Sequence, residues 1–230
     1  MRIVCLTHAP FEGPAAISDW ARLKGHTLDI IECWHETIPE PESYQALVVM
    51  GVPMSVNDFT RLPWLSDELD WISRWLEMDQ GPVIGICLGC QMLAHVTGGS
   101  VSRSPYKEIG WWPVQRTLEA EHSKYFRDWP EQANLFHWHG EMADLPAEAR
   151  VVLTSAGCPV QAFEWGTRVV GLQCHPEMTL DSIHEIGHEC QAELVAGHYI
   201  QTDIAAMADQ GKIRAAHELL FRLLDRLFGG

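Results

Sequence analysis

The sequence G-I-C-L-G at residues 85–89 constrains the fold of this chain more than any other feature. An apolar run at residues 83–86 predicts a strand before it, and the residues from 91 onwards predict a helix after it. A tight strand-to-helix turn leaves no room for side chains beside its apex, which explains the flanking glycines. Cys87 would then lie near a helix N-terminus, where unpaired N–H groups favour a thiolate. A buried structural cysteine is the alternative, but the glycines and the strand indicate a nucleophile.

A histidine after a second apolar strand supplies the base that a nucleophilic thiol needs. Residues 168–174 predict this strand, and Pro176 ends it directly after His175. Open α/β sheets place their sites at such strand ends. Glu177 is near enough in sequence to accept a ring N–H and hold the tautomer, as the third member of a triad does. A loop histidine beside a solvated glutamate is the alternative for this segment taken alone.

Alternating strands and helices predict an α/β fold with a mostly parallel, doubly wound open sheet and helices on both faces. The predicted strands and helices before the cysteine are strands at residues 2–6, 27–31 and 46–50 and helices at about 14–24 and 64–78. Residues 100–173 are rich in predicted strands, and the chain beyond Glu177 is predicted to be helical to its end. We expect one domain over residues 1–230, with a core of about 1–178 and a helical C-terminal extension of about 179–230.

The two motifs resemble those of class I, or triad-type, glutamine amidotransferases. Residues 85–91 match the nucleophile motif of that family, and residues 171–177 match its His-x-Glu motif. Residues 51–58, 107–111 and 137–141 are most similar to stand-alone GMP-synthase-like amidotransferase domains, an outline that plant γ-glutamyl peptidases share. The resemblance implies a flavodoxin-like fold and a glutaminase activity that requires no cofactor and no metal. A γ-glutamyl peptidase is the alternative function.

The resemblance also implies a role for each matching residue. Cys87 would attack the side-chain amide of glutamine, with His175 as general base and then general acid and Glu177 orienting the ring. Ammonia would leave, and water would hydrolyse the γ-glutamyl thioester. The oxyanion donors would be the N–H groups of Val52 and Leu88. The implied substrate-binding residues are Gly51, Gln91, Trp138, His139 and Gly140.

The chain departs from the family at the oxyanion loop. The family usually has Gly-Gly-Pro where this chain has Gly51, Val52 and Pro53. The valine keeps its backbone N–H, but a β-branched residue resists a positive φ. We expect this change to affect the rate more than the class of reaction.

Composition restricts the partners of the chain. The formal net charge of −15 over 230 residues argues against nucleic acid or an anionic membrane surface as the main partner. Seven scattered cysteines indicate reduced thiols and a cytoplasmic protein. The sequence lacks a phosphate-binding G-x-x-x-x-G-K-[ST] loop. We therefore expect glutamine or another γ-glutamyl small molecule as substrate, with any synthase that receives ammonia being a separate partner.

Further motifs allow other interpretations. His184, Glu185 and His188 form an H-E-x-x-H pattern, so a zinc hydrolase is a competing hypothesis, and an exposed helix face is the favoured explanation. A catalytically weak regulatory module is a third hypothesis, suggested by Val52. Cys87 and Cys90 form a C-x-x-C pair, for which a redox role of Cys90 or Cys174 is the less favoured interpretation. Tryptophans 64, 71 and 75 are expected in the core, whereas tryptophans 111, 112 and 138 are pocket candidates. His8, Pro10, Glu12 and Glu108 are expected near the rim of the cleft, with a solvated loop carboxylate as the alternative for Glu108.

Overall fold

Apolar runs rich in Val, Ile and Leu form the centre of the sheet, as expected for strands that are buried on both faces. The computed structural model describes residues 1–52 and 54–229, with residues 59 and 60 described by their main chain only. Its strands are β1 (Arg2–Thr7), β2 (Thr27–Glu32), β3 (Ala46–Val49), β4 (Val83–Ile86), β5 (Ser100–Arg116), β6 (Gln132–Asp144), β7 (Arg150–Ser155), β8 (Ala162–Trp165), β9 (Val169–Leu172) and β10 (Tyr199–Ile200). Its α-helices are α1 (Ala16–Leu23), α2 (Pro63–Glu77), α3 (Leu88–Val96), α4 (Leu180–Glu189), α5 (Ile204–Met207) and α6 (Gln210–Phe228).

Five neighbouring strands, in the spatial order β2, β1, β3, β4 and β9, run parallel to one another. The strands β8, β7 and β5 extend the sheet through antiparallel pairs, β6 pairs antiparallel with β5, and β10 runs parallel to β5. The predicted α/β fold with a mostly parallel open sheet is confirmed, and so is the strand-rich stretch between residues 100 and 173.

The sheet has a hydrophobic core on each face. Ile3 and Cys5 of β1 belong to one cluster of buried side chains, and Val4 and Leu6 belong to another. Successive side chains of a strand point to opposite faces, so the two clusters lie on opposite sides of the sheet. Helices α1, α4 and α6 contribute to the first cluster, whereas α2 and α3 contribute to the second. The predicted helices on both faces are therefore present.

The chain beyond Glu177 corrects one expectation. It is helical in α4, α5 and α6, but Tyr199–Ile200 forms the strand β10, which pairs with Glu108 and Ile109 of β5. The Gln201 N–H donates to the Ile109 carbonyl at 3.0 Å, and the Gln201 side chain bonds the N–H of Trp111 at 3.1 Å and its carbonyl at 3.2 Å. A strand this short has no detectable periodicity, so only its tertiary pairing defines it.

Two properties of the whole chain bear on its environment. Within the described residues, no helix combines the length and the apolar character needed to span a bilayer. The seven cysteines are all free and buried.

Two close main-chain contacts hold β4 and α3 in a tight strand–turn–helix unit. A Cβ atom at Gly89 would lie 2.1 Å from the carbonyl oxygen of Val49, and one at Gly85 would lie 2.4 Å from the carbonyl carbon of Gly89. Side-chain atoms do not approach backbone this closely. Glycine at both positions is therefore required by close approach of α3 to the sheet.

We expect Gly89→Ala to lower the free energy of unfolding by about 2 kcal/mol or more, because the added methyl group would collide with the main chain of β3. Gly13→Ala is the matched control, because a Cβ atom at Gly13 would have no neighbour within 4 Å. We expect this control to change stability by less than about 0.5 kcal/mol. Urea denaturation measures both variants, and equal stabilities would contradict the packing argument.

Candidate active site

Cys87 lies at the apex of the turn between β4 and α3. It has φ 50° and ψ −103°, and a positive φ outside glycine costs about 1–3 kcal/mol, which the surrounding structure has to supply. Cys87 is 7% exposed. Its Sγ lies 3.8 Å from the carbonyl oxygen of Trp138 and accepts a hydrogen bond from Nε2 of Gln173 at 3.5 Å. The thiol is therefore held among polar groups at the C-terminal edge of the parallel strands.

His175 follows β9 and is fixed by both its main chain and its ring. Its N–H donates to the carbonyl of Phe136 in β6 at 2.8 Å. The ring Nδ1 lies 2.7 Å from Oε1 of Glu177, and both side chains are buried. Burial alone would lower the pKa of His175, but the charge of Glu177 and the interaction with Cys87 raise this pKa well above its usual value.

Gly51, directly after β3 and Met50, brings these groups together. A Cβ atom at Gly51 would lie 3.1 Å from Cβ of Cys87 and 3.3 Å from Cε1 of His175. Oε2 of Glu12 would be 2.8 Å away from the same point. Any side chain at this position would push the cysteine and the histidine apart.

The proposed oxyanion donors flank the thiol. Val52 lines the same cavity as Cys87. Among the described residues, positive φ outside glycine occurs at Ala15, Asp79 and Cys87, so Val52 does not have the positive φ that a β-branched residue resists. Leu88 is the first residue of α3, and the first N–H groups of a helix lack partners within the helix. The remaining residue of this loop, Pro53, lies outside the described residues.

The thiol opens into a cavity of about 290 Å³. Six residues singled out from the sequence line this cavity, namely Val52, Cys87, Gln91, Trp138, His139 and Gly140. The four others, Gly51, Leu88, His175 and Glu177, do not line it. Of these, Gly51 and His175 lie next to Cys87 on the side away from the cavity. A Cβ atom at Gly51 would be within 3.3 Å of both Cys87 and His175.

Gln91 lines this cavity and carries an unpaired acceptor. Its Nε2 donates to Oε1 of Gln173 at 3.1 Å, whereas its own Oε1 is buried and has no hydrogen-bond partner in the described structure. A buried acceptor without a partner is costly. The side chain of Gln91 is therefore prepared to accept a hydrogen bond from a ligand.

Five residues of the cavity wall were missed by the sequence analysis. They are Met54, Ser55, Lys107, Glu141 and Glu193. The first four lie within segments that carry the family resemblance, so a search of those segments for polar neighbours of the motif residues could have found Ser55, Lys107 and Glu141. Glu193 follows α4, outside the segments that carry the motifs, and no sequence signal there points to the site.

Glu108 lies beneath the cavity and not at its rim, so a solvated loop carboxylate is the wrong interpretation. Its side chain is buried in β5, with Oε2 3.1 Å from Nε2 of His139. It accepts hydrogen bonds from Ser155 at 2.7 Å and Gln161 at 2.6 Å. Burial would raise the pKa of Glu108, but its bonds to His139 and Ser155 and the charge of His137 lower it overall. The carboxylate of Glu108 therefore lies next to the ring of His139, which lines the cavity.

Two further residues after β1 lie behind Gly51. The side chain of His8 is fully buried and its Nε2 contacts both carboxylate oxygens of Glu68, at 2.9 and 3.1 Å. Glu12 is buried near His175, and burial raises its pKa from 4.5 to about 7. Pro10, in contrast, is exposed. His8 and Glu12 are thus buried behind the site, and the expectation that they lie at its rim is wrong.

The motifs that suggested other chemistry lie elsewhere. His184, Glu185 and His188 are exposed on α4, and none of them belongs to the clusters of potential metal ligands found among the described residues. Those clusters are His8 with Cys33 and Glu68, and Glu108 with His137 and His139. The exposed helix face was thus the better interpretation of the H-E-x-x-H pattern.

The other two cysteines near the site are poorly suited to redox chemistry. Cys90 and Cys174 are fully buried, and burial raises the pKa of both thiols well above the usual value. Because the thiolate is the reactive form of cysteine, neither group is activated for exchange with Cys87.

The tryptophans divide between core and cavity. Trp71 and Trp75 are buried in the core as expected, while Trp64 is half-buried and stacks on His8 with ring centroids 6.1 Å apart. Among the pocket candidates, Trp138 lines the cavity. Trp111 is buried beside Phe136, and Trp112 packs edge-on against Tyr199.

Known proteins with a similar sequence or fold point to one family. The family "Glutamine amidotransferase class-I" matches residues 20–195. The glutamine amidotransferase-like protein YfeJ of Salmonella typhimurium is 29% identical over 99% of this chain and 97% of its own length. The structure of a glutamine amidotransferase from Thermotoga maritima superposes with a TM-score of 0.89 at 29% identity, covering 100% of this chain and 99% of the other.

A second group of relatives is much longer than this chain. The glutamine-hydrolysing GMP synthase of Mycobacterium bovis is 32% identical over 70% of this chain, but the match spans only 30% of that enzyme. Together with the match over residues 20–195, these relatives assign the chain to one class of enzymes. The chain belongs to the class I glutamine amidotransferase family.

The raised pKa of Glu12 makes a prediction about stability. Between pH 4.5 and about 7 the folded protein retains a proton on Glu12 that the unfolded chain has lost, so this group lowers stability as the pH rises. Glu12→Gln carries no such proton. We expect the difference in unfolding free energy between variant and wild type to grow by about 3 kcal/mol in favour of the variant between pH 4 and pH 8. Urea denaturation at the two pH values measures this, and a difference independent of pH would contradict it.

Proposed function

We propose that this protein hydrolyses the side-chain amide of glutamine, or of a closely related γ-glutamyl compound, through a thioester on Cys87. The observation that carries the proposal is the arrangement of Cys87, His175 and Glu177 at the C-terminal ends of neighbouring parallel strands, with the thiol open to a cavity of about 290 Å³. Family membership supports glutamine as the substrate. We further propose that the protein acts in a reducing, cytoplasmic environment, which its seven free cysteines favour.

The first half of the reaction forms the thioester. His175 takes the proton of Cys87, and the raised pKa of His175 favours the resulting thiolate–imidazolium pair. The thiolate attacks the amide carbon of the substrate, and the N–H groups of Val52 and Leu88 stabilise the oxyanion. The imidazolium then gives its proton to the leaving nitrogen, so that ammonia departs and the γ-glutamyl thioester remains.

The second half returns the enzyme to its starting state. A water molecule loses a proton to His175 and attacks the thioester carbon, and the thiolate leaves as glutamate is released. Glu177 acts in both halves by accepting the Nδ1–H at 2.7 Å, which keeps Nε2 directed to the reacting atoms. His175 and Glu177 are both buried, so bulk water does not screen the attraction between their charges.

The cavity wall supplies the substrate contacts in this proposal. The unpaired Oε1 of Gln91 accepts the amide N–H of the substrate. The main chain of Trp138 and Gly140 and the side chain of His139 form the wall that receives the amino-acid end. Gly51 keeps the space between thiol and imidazole free for the tetrahedral intermediate.

The fate of the ammonia distinguishes the two candidate functions. A glutaminase that serves a separate synthase releases ammonia to that partner, whereas a γ-glutamyl peptidase releases an amine or amino acid to solvent. Both use the same thioester. A panel of L-glutamine and γ-glutamyl dipeptides, assayed on the purified chain, separates them by the ratio of their kcat/KM values.

Replacing the nucleophile is the direct test of the proposal. We expect Cys87→Ala to abolish γ-glutamyl hydrolysis and labelling by an electrophilic glutamine analogue, because no thioester can form. Cys90→Ala is the matched control three residues away in the same motif, and we expect it to keep most of the activity, since its thiol is buried. Mass spectrometry of the trapped adduct measures the outcome. Activity that survives in Cys87→Ala and disappears with a chelator would favour the zinc hypothesis instead.

The role of Glu177 is tested by its amide. We expect Glu177→Gln to lower kcat/KM by about a hundredfold or more, because the ring of His175 loses its orienting carboxylate. Since Glu177 also raises the pKa of His175, the alkaline limb of the bell-shaped pH profile should move to lower pH in this variant. Glu189→Gln is the control, because Glu189 and His188 form a similar pair on the exposed face of α4. An unchanged pH profile in Glu177→Gln would contradict the assignment.

A further inference from the structure

The wall of the cavity carries an ion pair that joins the sheet to the C-terminal extension. Lys107 of β5 and Glu193 of the short helical turn Gln191–Glu193 both line the cavity, and their charged groups are in contact. Lys107 precedes the buried Glu108 in the strand, so its side chain leaves the opposite face. Its aliphatic carbons pass 3.7–3.9 Å from the position of a Cβ atom at Gly140, which places the chain of Lys107 along the wall near the thiol.

Glu193 is held in place from both sides. The turn that carries it follows α4 directly, and the chain after it is fixed by the pairing of β10 with β5 and by the bonds of Gln201 to Trp111. The fold therefore positions the carboxylate of Glu193 at the cavity wall. It is also accessible, because the side chains of Lys107 and Glu193 are 36% and 28% exposed.

The pair matches the chemistry of an α-amino acid. A zwitterionic head group carries an ammonium and a carboxylate a few ångströms apart, and a Lys–Glu pair presents the complementary charges at similar spacing. The ammonium of the substrate can pair with the Glu193 carboxylate while the substrate carboxylate pairs with the Lys107 ammonium. Every charge then keeps an opposite charge beside it when the substrate binds. Ion pairs at partly exposed positions add little to stability, so exchange of partners costs the protein little.

We propose that Lys107 and Glu193 select γ-glutamyl substrates with a free amino-acid head group, Lys107 receiving the α-carboxylate and Glu193 the α-ammonium. This inference rests on the proposed function, since it assigns the specificity of the same cavity. It gives the C-terminal extension a role in substrate choice. A compound that lacks the α-carboxylate leaves Lys107 without a partner, and one that lacks the α-ammonium leaves Glu193 without a partner.

Three substrates test the inference: L-glutamine, N-acetyl-L-glutamine, which lacks the ammonium, and L-glutamine α-amide, which lacks the carboxylate. The wild type should prefer L-glutamine over both. In Lys107→Met the preference over the α-amide should fall about tenfold or more, while the preference over the N-acetyl compound persists. Glu193→Gln should show the opposite pattern. Each ratio of kcat/KM values is taken within one variant, so a partly unfolded preparation does not distort it.

Controls separate this inference from the proposed function. Lys24→Met removes a surface ion pair with Asp225 and should leave both ratios unchanged. Dissociation constants for the three compounds are measured in parallel by calorimetry on the Cys87→Ala background. If the wild type hydrolyses none of them yet binding shows the same charge preferences, the proposed reaction fails and this inference stands. If Lys107→Met and Glu193→Gln keep the wild-type ratios in both assays, the ion pair only tethers the extension and the inference is overturned.

Discussion

The convergence of three strand ends at Gly51 is the constraint on which the site depends. Gly51, Cys87 and His175 follow β3, β4 and β9, which are consecutive neighbours in the parallel sheet. Adjacent strands lie about 4.8 Å apart, so the residues beyond their ends compete for the same small volume. Because Gly51 has no side chain, Cys87 and His175 can both fit beside it. The close packing of α3 on β3 at Gly89 fixes the position of Cys87 at the start of the helix. The reactive geometry is thus a consequence of sheet spacing.

Three buried carboxylates lie around Gly51 and Cys87. They differ in how closely a histidine balances the negative charge of each. Glu177 and Glu108 each contact a histidine at 2.7 and 3.1 Å, respectively. Removing one partner of such a buried pair typically costs about 3–5 kcal/mol, because the remaining charge is left uncompensated. The carboxylate of Glu12 is less well balanced by nearby positive charge, and burial raises its pKa to about 7. The site therefore holds two carboxylates that each contact a histidine and one, Glu12, whose pKa is raised to about 7.

Much of the fold was predictable from the sequence, because its strongest signals are local. The apolar runs of the parallel strands and the glycines around Cys87 predict the sheet and the elbow, and the agreement extends to within a few residues at most element ends. The strand β10 and the position of Glu193 could not be predicted, since they depend on pairing with β5 and not on their own periodicity. Burial of Glu108 was missed for a related reason. A carboxylate reads as exposed until its histidine partner on the neighbouring strand is known.

The strand β6 contacts the imidazole segment, the thiol and the cavity. The carbonyl of Phe136 holds the main chain of His175, the carbonyl of Trp138 faces Sγ of Cys87, and His139 lies in the cavity wall. One short stretch of backbone therefore holds the main chain of His175, lies next to the thiol and forms part of the cavity wall. Any ligand that shifts this stretch also shifts the carbonyl holding the imidazole. In the proposed function, filling of the cavity and the position of the imidazole are therefore coupled through a single strand.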